Sequence, residues 1–352
     1  MKTVLVTGAA GTVGGHVVPL LEAAGFRVVA TDLDASAIRV PVRGEIRAAD
    51  LRDPEAVERV VRHVDAVVHT AALLDATADE QTLHEVNARA VARLFEAAEA
   101  AGARRFVHMS TAMIYAPHAR GPVRVGCAVA PRGPHGASKL AAEEWLRARR
   151  GRLAWTILRA APIYGRRGRH FAAGLLVIGP LLRLVTPLLP RPSGGPVATM
   201  VHAEDVARAL VHVLERSATE GEILDVSDGD AIPLGDRIAA TFDAYGLRSI
   251  RTGPLSGRVL GAVGRALRAP GAFESTDAAL LGAWRLVVAR HGLRPALRPR
   301  LDREALTLFT DDLVVDASRL RAIGWRPLHA DFRRGFADVL RWYQAERWVP
   351  RY

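Results

Sequence analysis

Short apolar runs alternate with longer stretches of helical periodicity in the first half of the chain. Runs rich in Val, Ile and Thr are typical of buried strands, and apolar residues that recur every three or four positions predict helices packed against them. The predicted strands are 2–7, 27–32, 44–51, 65–72, 104–111 and 153–160. The predicted helices are 12–25, one beginning at Asp53 and Pro54, an Ala-rich helix over about 79–101, and one at 134–145. This alternation predicts an α/β fold, with a Rossmann-type doubly wound parallel sheet and right-handed crossovers.

The pattern changes after residue 165. Residues 170–192 are apolar, but charged and helix-breaking residues interrupt the run, so we do not expect it to span a membrane. A strand followed by a helix returns over 196–229, and the remainder contains several helices separated by short turns. We therefore predict a Rossmann domain and a smaller, mostly helical C-terminal lobe. The predicted bounds are 1–165 and 196–229 for the domain, and 166–195 and 230–352 for the lobe.

Composition adds constraints on the cellular setting. Hydrophobic residues make up 49% of the 352 positions, which is enough for a buried core. Cys127 is the single cysteine, so no internal disulfide can form, and a reducing cytoplasmic location is expected. The amino terminus runs into a glycine turn without the apolar segment of a secretory signal, which supports the same expectation.

The net charge of +11 raises the question of nucleic-acid binding. Arginine supplies 46 of the 48 basic residues, they are scattered along the chain, and few aromatic residues lie among them. We therefore expect a solvated Arg-rich surface and no nucleic-acid partner. The only lysines are Lys2 and Lys139. Lys139 stands out because an ammonium has a tunable pKa, whereas a guanidinium is permanently charged.

The first predicted strand leads directly into the turn "TGAAGTVGGHV". Its glycines, Gly8, Gly11 and Gly14, fall where a chain turns sharply, where backbone approaches a pyrophosphate, and where a helix meets the sheet. The N-terminus of the following helix then points free N–H groups at the phosphates. Asp32 ends the second strand, where a carboxylate accepts from a ribose 2′-OH and repels a 2′-phosphate. These features predict a dinucleotide site for NAD, with NADP disfavoured.

Seven further sequence motifs are distributed along the chain. They are "AADL" (48–51), "HTAA" (69–72), "MSTAMIYA" (109–116), "GASKLAAEE" (136–144), "LRAAPIYGRRG" (158–168), "VHAEDVARA" (201–209) and "VVDASRLRAIGWRP" (314–327). With the glycine turn, they make the chain similar to the extended short-chain dehydrogenase/reductases, in the NAD-dependent epimerase/dehydratase and 3β-hydroxysteroid dehydrogenase-like group. The resemblance implies the fold, a nicotinamide cofactor, and a second lobe that selects the substrate.

The resemblance also implies roles for individual residues. Thr111 matches the family's active-site Ser/Thr, Lys139 its lysine, and His135 its tyrosine. Cofactor contacts are expected from Gly8, Gly11, Thr12, Val13, Gly14, Asp32, Asp50, Leu51, Thr70, Ala71, Ala72, Asn87, Lys139, Pro162 and Ile163. On the substrate side, Tyr115 offers a hydroxyl on the loop after the fifth strand. Tyr164 is expected to pack behind the nicotinamide.

The histidine at position 135 changes the expected chemistry. In this family a hydride passes between the nicotinamide and a carbinol carbon while the tyrosine moves the proton on the oxygen. His135 and Lys139 are four residues apart and therefore share a helix face. An imidazole has a pKa near ~6.5 where a phenol has ~10, and a neighbouring ammonium keeps the imidazole neutral. His135 is either a proton-handling group, assisted by a water, Thr111 or Tyr115, or a packed residue of a degenerate site.

Three functions remain open. They are an NAD-dependent oxidoreductase acting on a secondary alcohol or ketone, an isomerase, dehydratase or cyclase on the same frame, and a non-catalytic dinucleotide-binding protein. The apolar segments 170–192 and 257–273 are either helices packed on the core or a hydrophobic lid over a sterol-, terpenoid- or polyketide-like substrate, with contact to a membrane surface as an added alternative. A nucleotide sugar is less favoured, since only Arg166, Arg167 and Arg169 offer charge for a diphosphate. No metal-ligand spacing is found, and the family suggests a homodimer built by pairing two helices of each subunit.

Overall fold

The computed structural model describes residues 2–75, 78–116, 121–169, 172–267, 269–301 and 304–352. Within the apolar segments singled out above, His170, Phe171 and Arg268 lie outside the described residues. The strands are β1 (Thr3–Thr7), β2 (Arg27–Asp32), β3 (Glu45–Ala48), β4 (Ala66–His69), β5 (Arg105–Thr111), β6 (Ala154–Ala160), β7 (Ile163–Tyr164), β8 (Leu189–Ser193), β9 (Val197–Ala198), β10 (Val201–His202), β11 (Ile223–Val226), β12 (Ile232–Pro233) and β13 (Ser249–Pro254).

Helices connect these strands. They are α1 (Gly14–Ala23), α2 (Pro54–Val60), α3 (Glu80–His84), α4 (Ala90–Ala100), α5 (Pro134–Arg147), α6 (Ala172–Leu182), α7 (Ala203–Leu214), α8 (Leu234–Tyr245), α9 (Gly257–Ala266), α10 (Ala272–His291), α11 (Ser318–Ala322) and α12 (Phe332–Ala345). Short 3₁₀ turns occupy Ala35–Ala37, Ala112–Ile114, Ser217–Thr219 and Ala305–Phe309. The start predicted for α2 is confirmed, because the Asp53 carboxylate accepts from the backbone N–H of Glu55 at 3.0 Å and Pro54 is the first helical residue.

A seven-stranded parallel sheet forms the centre of the described chain, in the order β11-β6-β5-β4-β1-β2-β3. The predicted Rossmann-type sheet is confirmed. The order reverses between β1 and β4, because successive strands extend from β1 in opposite directions. In open parallel sheets, ligands bind beyond the carboxyl ends of the strands at such a reversal. The glycine turn after β1 lies at this position.

Apolar layers cover both faces of the sheet. On one face, Val17 and Leu21 of α1 pack with Leu210 of α7 against the strands. On the other face, Phe95 of α4 and Leu146 of α5 belong to a second layer. All five side chains are inaccessible or nearly so, and full burial of a side chain of this size contributes about 1.5–3 kcal/mol to folding. The helices therefore cover and stabilise both faces of the sheet, and the loops at its carboxyl edge remain available for a ligand site.

The Ala-rich helix differs from its prediction in one respect. α3 and α4 are joined by a π-helical turn over Glu85–Arg89, which contains Asn87. A π turn inserts an extra residue into the helical ladder, and such turns are frequent at functional sites. Apolar periodicity predicts a helix here but does not reveal the turn.

A third apolar cluster lies outside the sheet. It joins Leu176 of α6, Phe242 of α8, Trp284 of α10 and Phe336 of α12. Short strand pairs connect its segments: β8 with β13 and β7 with β10 in parallel, and β9 with β12 antiparallel. The chain around residues 308–325 packs onto the sheet instead, through Leu308, Leu313, Val315, Leu320 and Trp325. The bounds of the domain and lobe stay a prediction.

The apolar segment at 170–192 forms two separate elements. α6 has 11 residues and contains Pro180, after which the chain turns and enters β8. None of the helices in the described part of the chain has both the length and the apolar character of a membrane span.

Candidate functional site

The turn between β1 and α1 accepts only glycine at two of its positions. Gly8 has a φ of +72°, and a Cβ there would lie 2.7 Å from the backbone nitrogen of Ala71. A Cβ on Gly14 would clash with the carbonyl of Gly8. Val13, which precedes α1, provides no side-chain cap, so the helix begins with backbone N–H groups that a ligand can use. A bare backbone cradle at a helix N-terminus fits the pyrophosphate of a dinucleotide, and Gly11 and Thr12 lie within it.

Asp32 lies where β2 ends, beside the glycine turn. Its Oδ2 accepts from the backbone N–H of Ala10 and its Oδ1 from that of Leu33, each at 2.9 Å. The carboxylate is therefore fixed next to the cradle, at the position where the sequence predicts a ribose contact.

Asp50 and Leu51 follow β3 on the same side of the sheet. The Asp50 carboxylate pairs with Arg52 at 2.7 Å, and this hydrogen bond lowers the pKa of Asp50. Arg93 donates to the main-chain oxygen of Leu51 at 3.0 Å. The contact predicted between Asp50 and an adenine amino group would share the carboxylate with Arg52, and it stays a prediction.

The ends of β1 and β4 are joined by side chains. The hydroxyl of Thr7 lies 2.7 Å from Nδ1 of His69, and the hydroxyl of Thr70 donates to the main-chain oxygen of Thr7 at 2.7 Å. These bonds hold Thr70, Ala71 and Ala72 against the glycine turn. Burial lowers the pKa of His69 to about 3, so this ring is a neutral packing residue.

The helix α5 brings His135 and Lys139 to the site. Nδ1 of His135 lies 3.3 Å from the main-chain oxygen of Leu73. A carbonyl only accepts, so Nδ1 carries the hydrogen and the basic lone pair of the neutral ring is on Nε2. Lys139 is 2% exposed and donates to the main-chain oxygen of Met109 at 2.9 Å. Burial lowers the pKa of Lys139 to about 8, although the charge of Glu143 opposes this.

Asn87 ties the β4 loop to α5. Its Oδ1 accepts from the backbone N–H of Leu73 at 2.8 Å, and its Nδ2 donates to the oxygen of Leu73 at 2.9 Å and to the Ser138 hydroxyl at 3.1 Å. Ser138 donates in turn to the main-chain oxygen of His135 at 2.8 Å. The amide is fully buried, so Asn87 fixes the frame around His135, a role for which the sequence predicts only a cofactor contact.

Thr111 is the last residue of β5, two positions after the Met109 carbonyl that holds Lys139. Its hydroxyl oxygen accepts from the backbone N–H of Met113 at 3.1 Å. A hydroxyl that accepts one bond can still donate another, so Thr111 keeps the capacity to donate to a substrate oxygen.

Tyr115 belongs to a buried network instead. Its hydroxyl donates to Oδ1 of Asp225 at 2.7 Å and accepts from Arg159 at 3.0 Å. Arg159 also forms a buried ion pair with Glu143 at 2.7 Å. Burial raises the pKa of the Tyr115 phenol and raises that of Asp225 to about 6. The hydroxyl of Tyr115 therefore has two structural partners, and its role as a substrate contact stays a prediction.

Tyr164 is also buried, at 1% exposure, after Pro162 and Ile163 lead from β6 into β7. Its ring packs edge-on against His202 at 5.3 Å and Phe332 at 5.1 Å between centroids. Burial raises the pKa of its phenol. Whether this ring lies behind a nicotinamide stays a prediction.

His202, Glu204 and His329 form a cluster whose ligand atoms lie within 4.8 Å of one another. Nδ1 of His202 already accepts from the backbone N–H of Glu204 at 3.2 Å, which caps α7 and leaves the proton of the neutral ring on Nε2. The ring centroids of His202 and His329 lie 3.9 Å apart at an interplanar angle of 36°, and Nε2 of His329 already lies 3.3 Å from a carboxylate oxygen of Glu204. Burial lowers the pKa of His202 to about 3. We propose no metal here.

Two charged residues lie at the site, and the sequence predicts the contact of neither. The guanidinium of Arg167 occupies the space that a Cβ on Gly15 would need, so a positive charge lies on the first turn of α1. Glu304 accepts from the backbone N–H of Gly136, directly after His135, at 3.0 and 3.3 Å. Nothing in the sequence pattern near Glu304 indicates this contact.

A groove of about 800 Å³ lies elsewhere, at the amino ends of β6 and β11, and contains none of the site residues described above.

Comparison with known proteins identifies the family of the chain. The profile of the NAD dependent epimerase/dehydratase family matches residues 4–227. UDP-glucose 4-epimerase 4 of Oryza sativa subsp. japonica is 33% identical over 41% of this chain, but the match spans only 43% of that protein's length. The 3-diazoavenalumate denitrifying reductase of Streptomyces sp is 33% identical over 73% of this chain and 87% of its own.

Two other relatives match nearly end to end. Ceramide reductase of Caulobacter vibrioides is 28% identical over 99% of this chain and 96% of its own. The UDP-glucose 4-epimerase of Thermus thermophilus, solved as a complex with NAD, superposes with a TM-score of 0.69 at 25% identity, over 97% of this chain and 99% of that one. Together with the profile match and the glycine cradle, these relatives show that the chain belongs to the NAD-dependent epimerase/dehydratase family of enzymes, with NAD as its cofactor.

Proposed function

We propose that the protein is an NAD-dependent oxidoreductase that interconverts a secondary alcohol and a ketone on a largely apolar small molecule. One observation carries this proposal: His135 and the buried Lys139 share one face of α5, and Lys139 is bonded to β5, the strand that ends in Thr111. The glycine cradle and Asp32 provide the cofactor contacts. His135 takes the place of the family's tyrosine.

Each site residue has a separate role in the interconversion of alcohol and ketone. Bound NAD supplies the hydride acceptor for oxidation, and its reduced form supplies the donor for reduction. In oxidation, Nε2 of His135 accepts the hydroxyl proton as the carbinol C–H bond breaks. In reduction, the imidazolium returns a proton to the carbonyl oxygen. Thr111 donates a hydrogen bond to the same oxygen, and Lys139, anchored on Met109, places a positive charge beside it.

The apolar nature of the substrate is supported by surfaces near the second lobe. Val185, after α6, is 87% exposed, and Val263 on α9 is 51% exposed. Ceramide reductase, whose name identifies a lipid substrate, is one relative that matches almost the entire chain. The same features favour contact with a membrane surface. A homodimer and a cytoplasmic location complete the proposal as expectations from the sequence.

A second candidate rests on the relatives named UDP-glucose 4-epimerase. It is an isomerase or dehydratase of a nucleotide sugar, in which oxidation and reduction cancel. A third, a protein that binds the dinucleotide without catalysis, follows if His135 is a packed residue only.

The experiment is to purify the protein, measure NAD binding by calorimetry, and incubate it with NADH and a panel of apolar ketones and, separately, with NAD and UDP-glucose. We expect NAD binding and NADH consumption with at least one ketone. Conversion of UDP-glucose without net NADH formation would favour the second candidate. Binding without turnover of either class would favour the third.

A further inference from the structure

The carboxylate of Glu304 lies against the turn that begins α5 and carries His135. Both of its oxygens accept from the backbone N–H of Gly136, at 3.0 and 3.3 Å, and the residue is 7% exposed. Gly136 is covalently next to His135, so by standard backbone geometry the nearer oxygen lies within about 6 Å of the His135 Cα. A buried carboxylate therefore lies beside the residue that replaces the family's tyrosine.

Glycines on both sides of His135 make room for this carboxylate. A Cβ on Gly133 would lie 2.5 Å from Oε2 of Glu304, and a Cβ on Gly136 would lie 2.7 Å from Oε1. Neither glycine has a positive φ, so the backbone conformation would accept other residues. A side chain at either position would instead require Glu304 to shift.

The charges around His135 have opposing effects on its ring. Lys139, one turn along α5, favours the neutral imidazole, whereas Glu304 favours the imidazolium. Arg132, just before the helix, pairs with Asp311. The other ionisable groups on the described elements that pack against α5, and on the loop after β4, are Asp75, Glu80, His84, Glu85, Arg89, Arg93, Glu96, Glu99, Arg105 and His108. On α5 itself, Glu143, Glu144 and Arg147 lie two turns or more beyond His135.

We propose that Glu304 is a positioning residue that raises the proton affinity of His135 against the charge of Lys139, so that the ring can donate a proton as well as accept one. This inference rests on the proposed proton role of His135. A tyrosine needs a nearby cation to release its proton, whereas a histidine needs a nearby anion to retain one. Glu304 supplies that anion, and it comes from a segment 168 residues away in the chain.

The test is the variant Glu304→Gln, which keeps the shape of the side chain and an acceptor for Gly136 but removes the charge. The ring of His135 is titrated by NMR, with its resonance identified by its loss in His135→Ala. We expect the midpoint to fall by about one pH unit, a tenfold drop in proton affinity. The matched control Asp331→Asn removes a carboxylate that caps α12 and leaves the midpoint unchanged. An unchanged or raised midpoint in Glu304→Gln overturns the inference.

Two further measurements keep the inference and the proposed function apart. If Glu304→Gln does not fold, the wild-type titration decides: we expect a midpoint at or above ~6.5, and one more than a unit lower overturns the inference. In folded Glu304→Gln, the pH–rate profile is compared with the NMR midpoint. If the NMR midpoint shifts but the pH–rate profile does not, His135 is not the proton-handling group, although Glu304 still raises its proton affinity. If the midpoint does not shift and His135→Ala is inactive, the proton role of His135 stands and only the proposed effect of Glu304 on its proton affinity is wrong.

Discussion

The ammonium of Lys139 donates a 2.9 Å hydrogen bond to the main-chain oxygen of Met109 on β5. The bond ties the middle of α5 to the strand that ends in Thr111. Because the side chain is almost fully buried, the helix can shift little relative to that strand. The buried Lys139 cation therefore links the position of His135 on α5 to that of Thr111 on β5.

Replacement of Lys139 by arginine tests this dependence. A planar guanidinium does not fit a pocket shaped for an ammonium, so Lys139→Arg is expected to lower kcat/KM by about 100-fold or more. The control is Lys2→Arg, at an exposed position, which is expected to change nothing. Wild-type kcat/KM in Lys139→Arg would contradict the assigned role.

Asp32 provides a test of cofactor choice. Its carboxylate is held by Ala10 and Leu33 at the edge of the cradle. Asp32→Ala removes both the acceptor for a ribose hydroxyl and the charge that repels a 2′-phosphate, so NAD affinity is expected to fall about tenfold and NADP affinity to rise. Calorimetry with both dinucleotides measures this, beside the control Asp53→Asn at α2. Equal loss of affinity for both dinucleotides would argue against discrimination by Asp32.

The glycine cradle makes a prediction about stability and binding together. A Cβ on Gly14 would clash with the Gly8 carbonyl, whereas a Cβ on Gly282 of α10 meets nothing within 4 Å. Gly14→Ala is therefore expected to lower the melting temperature and abolish NAD binding. Gly282→Ala is expected to stabilise by about 0.5–1 kcal/mol, since alanine is the better helix former. Thermal unfolding with and without NAD measures both, and NAD-induced stabilisation of Gly14→Ala would contradict the assigned cradle.

The buried carboxyl of Asp228 is expected to make the stability of the protein depend on pH. Burial raises its pKa to about 7, and in the described part of the chain its Oδ2 has no hydrogen-bond partner. A carboxyl with a raised pKa stabilises the fold fully below its ordinary pKa of 3.8, and this contribution is lost as the pH rises through 7. Asp228→Asn is therefore expected to be about 1–3 kcal/mol more stable than wild type near pH 8, with a smaller gain near pH 5. Urea unfolding at both pH values measures the difference, and a variant no more stable near pH 8 would contradict it.

Local motifs account for the parts of the molecule that the sequence predicts well. The parallel sheet follows from alternating strand and helix patterns. The positions of Gly8 and Gly14 follow from a turn whose geometry is confined to a few residues. The helix beginning at Asp53 follows from a cap and a proline that act on their immediate neighbours.

Long-range contacts account for what the sequence does not predict. Glu304 reaches Gly136 across 168 positions, and no local pattern distinguishes it from other carboxylates. Tyr115 is expected on the substrate side from its loop position, yet its hydroxyl binds Asp225, 110 residues away on another strand. Asn87, in the π turn, bonds to both main-chain groups of Leu73, and these hydrogen bonds form only when the β4 loop is folded against the turn.

The central claim is that His135 handles the proton. The most direct measurement is kcat/KM for the active ketone or alcohol in wild type, His135→Ala and His135→Tyr, with NAD affinity measured on each. We expect His135→Ala to lose about 100-fold or more in kcat/KM while NAD affinity stays within about twofold, because the group acts on the substrate oxygen and not on the dinucleotide. Unchanged turnover in His135→Ala would contradict the claim, as would activity that appears only in His135→Tyr.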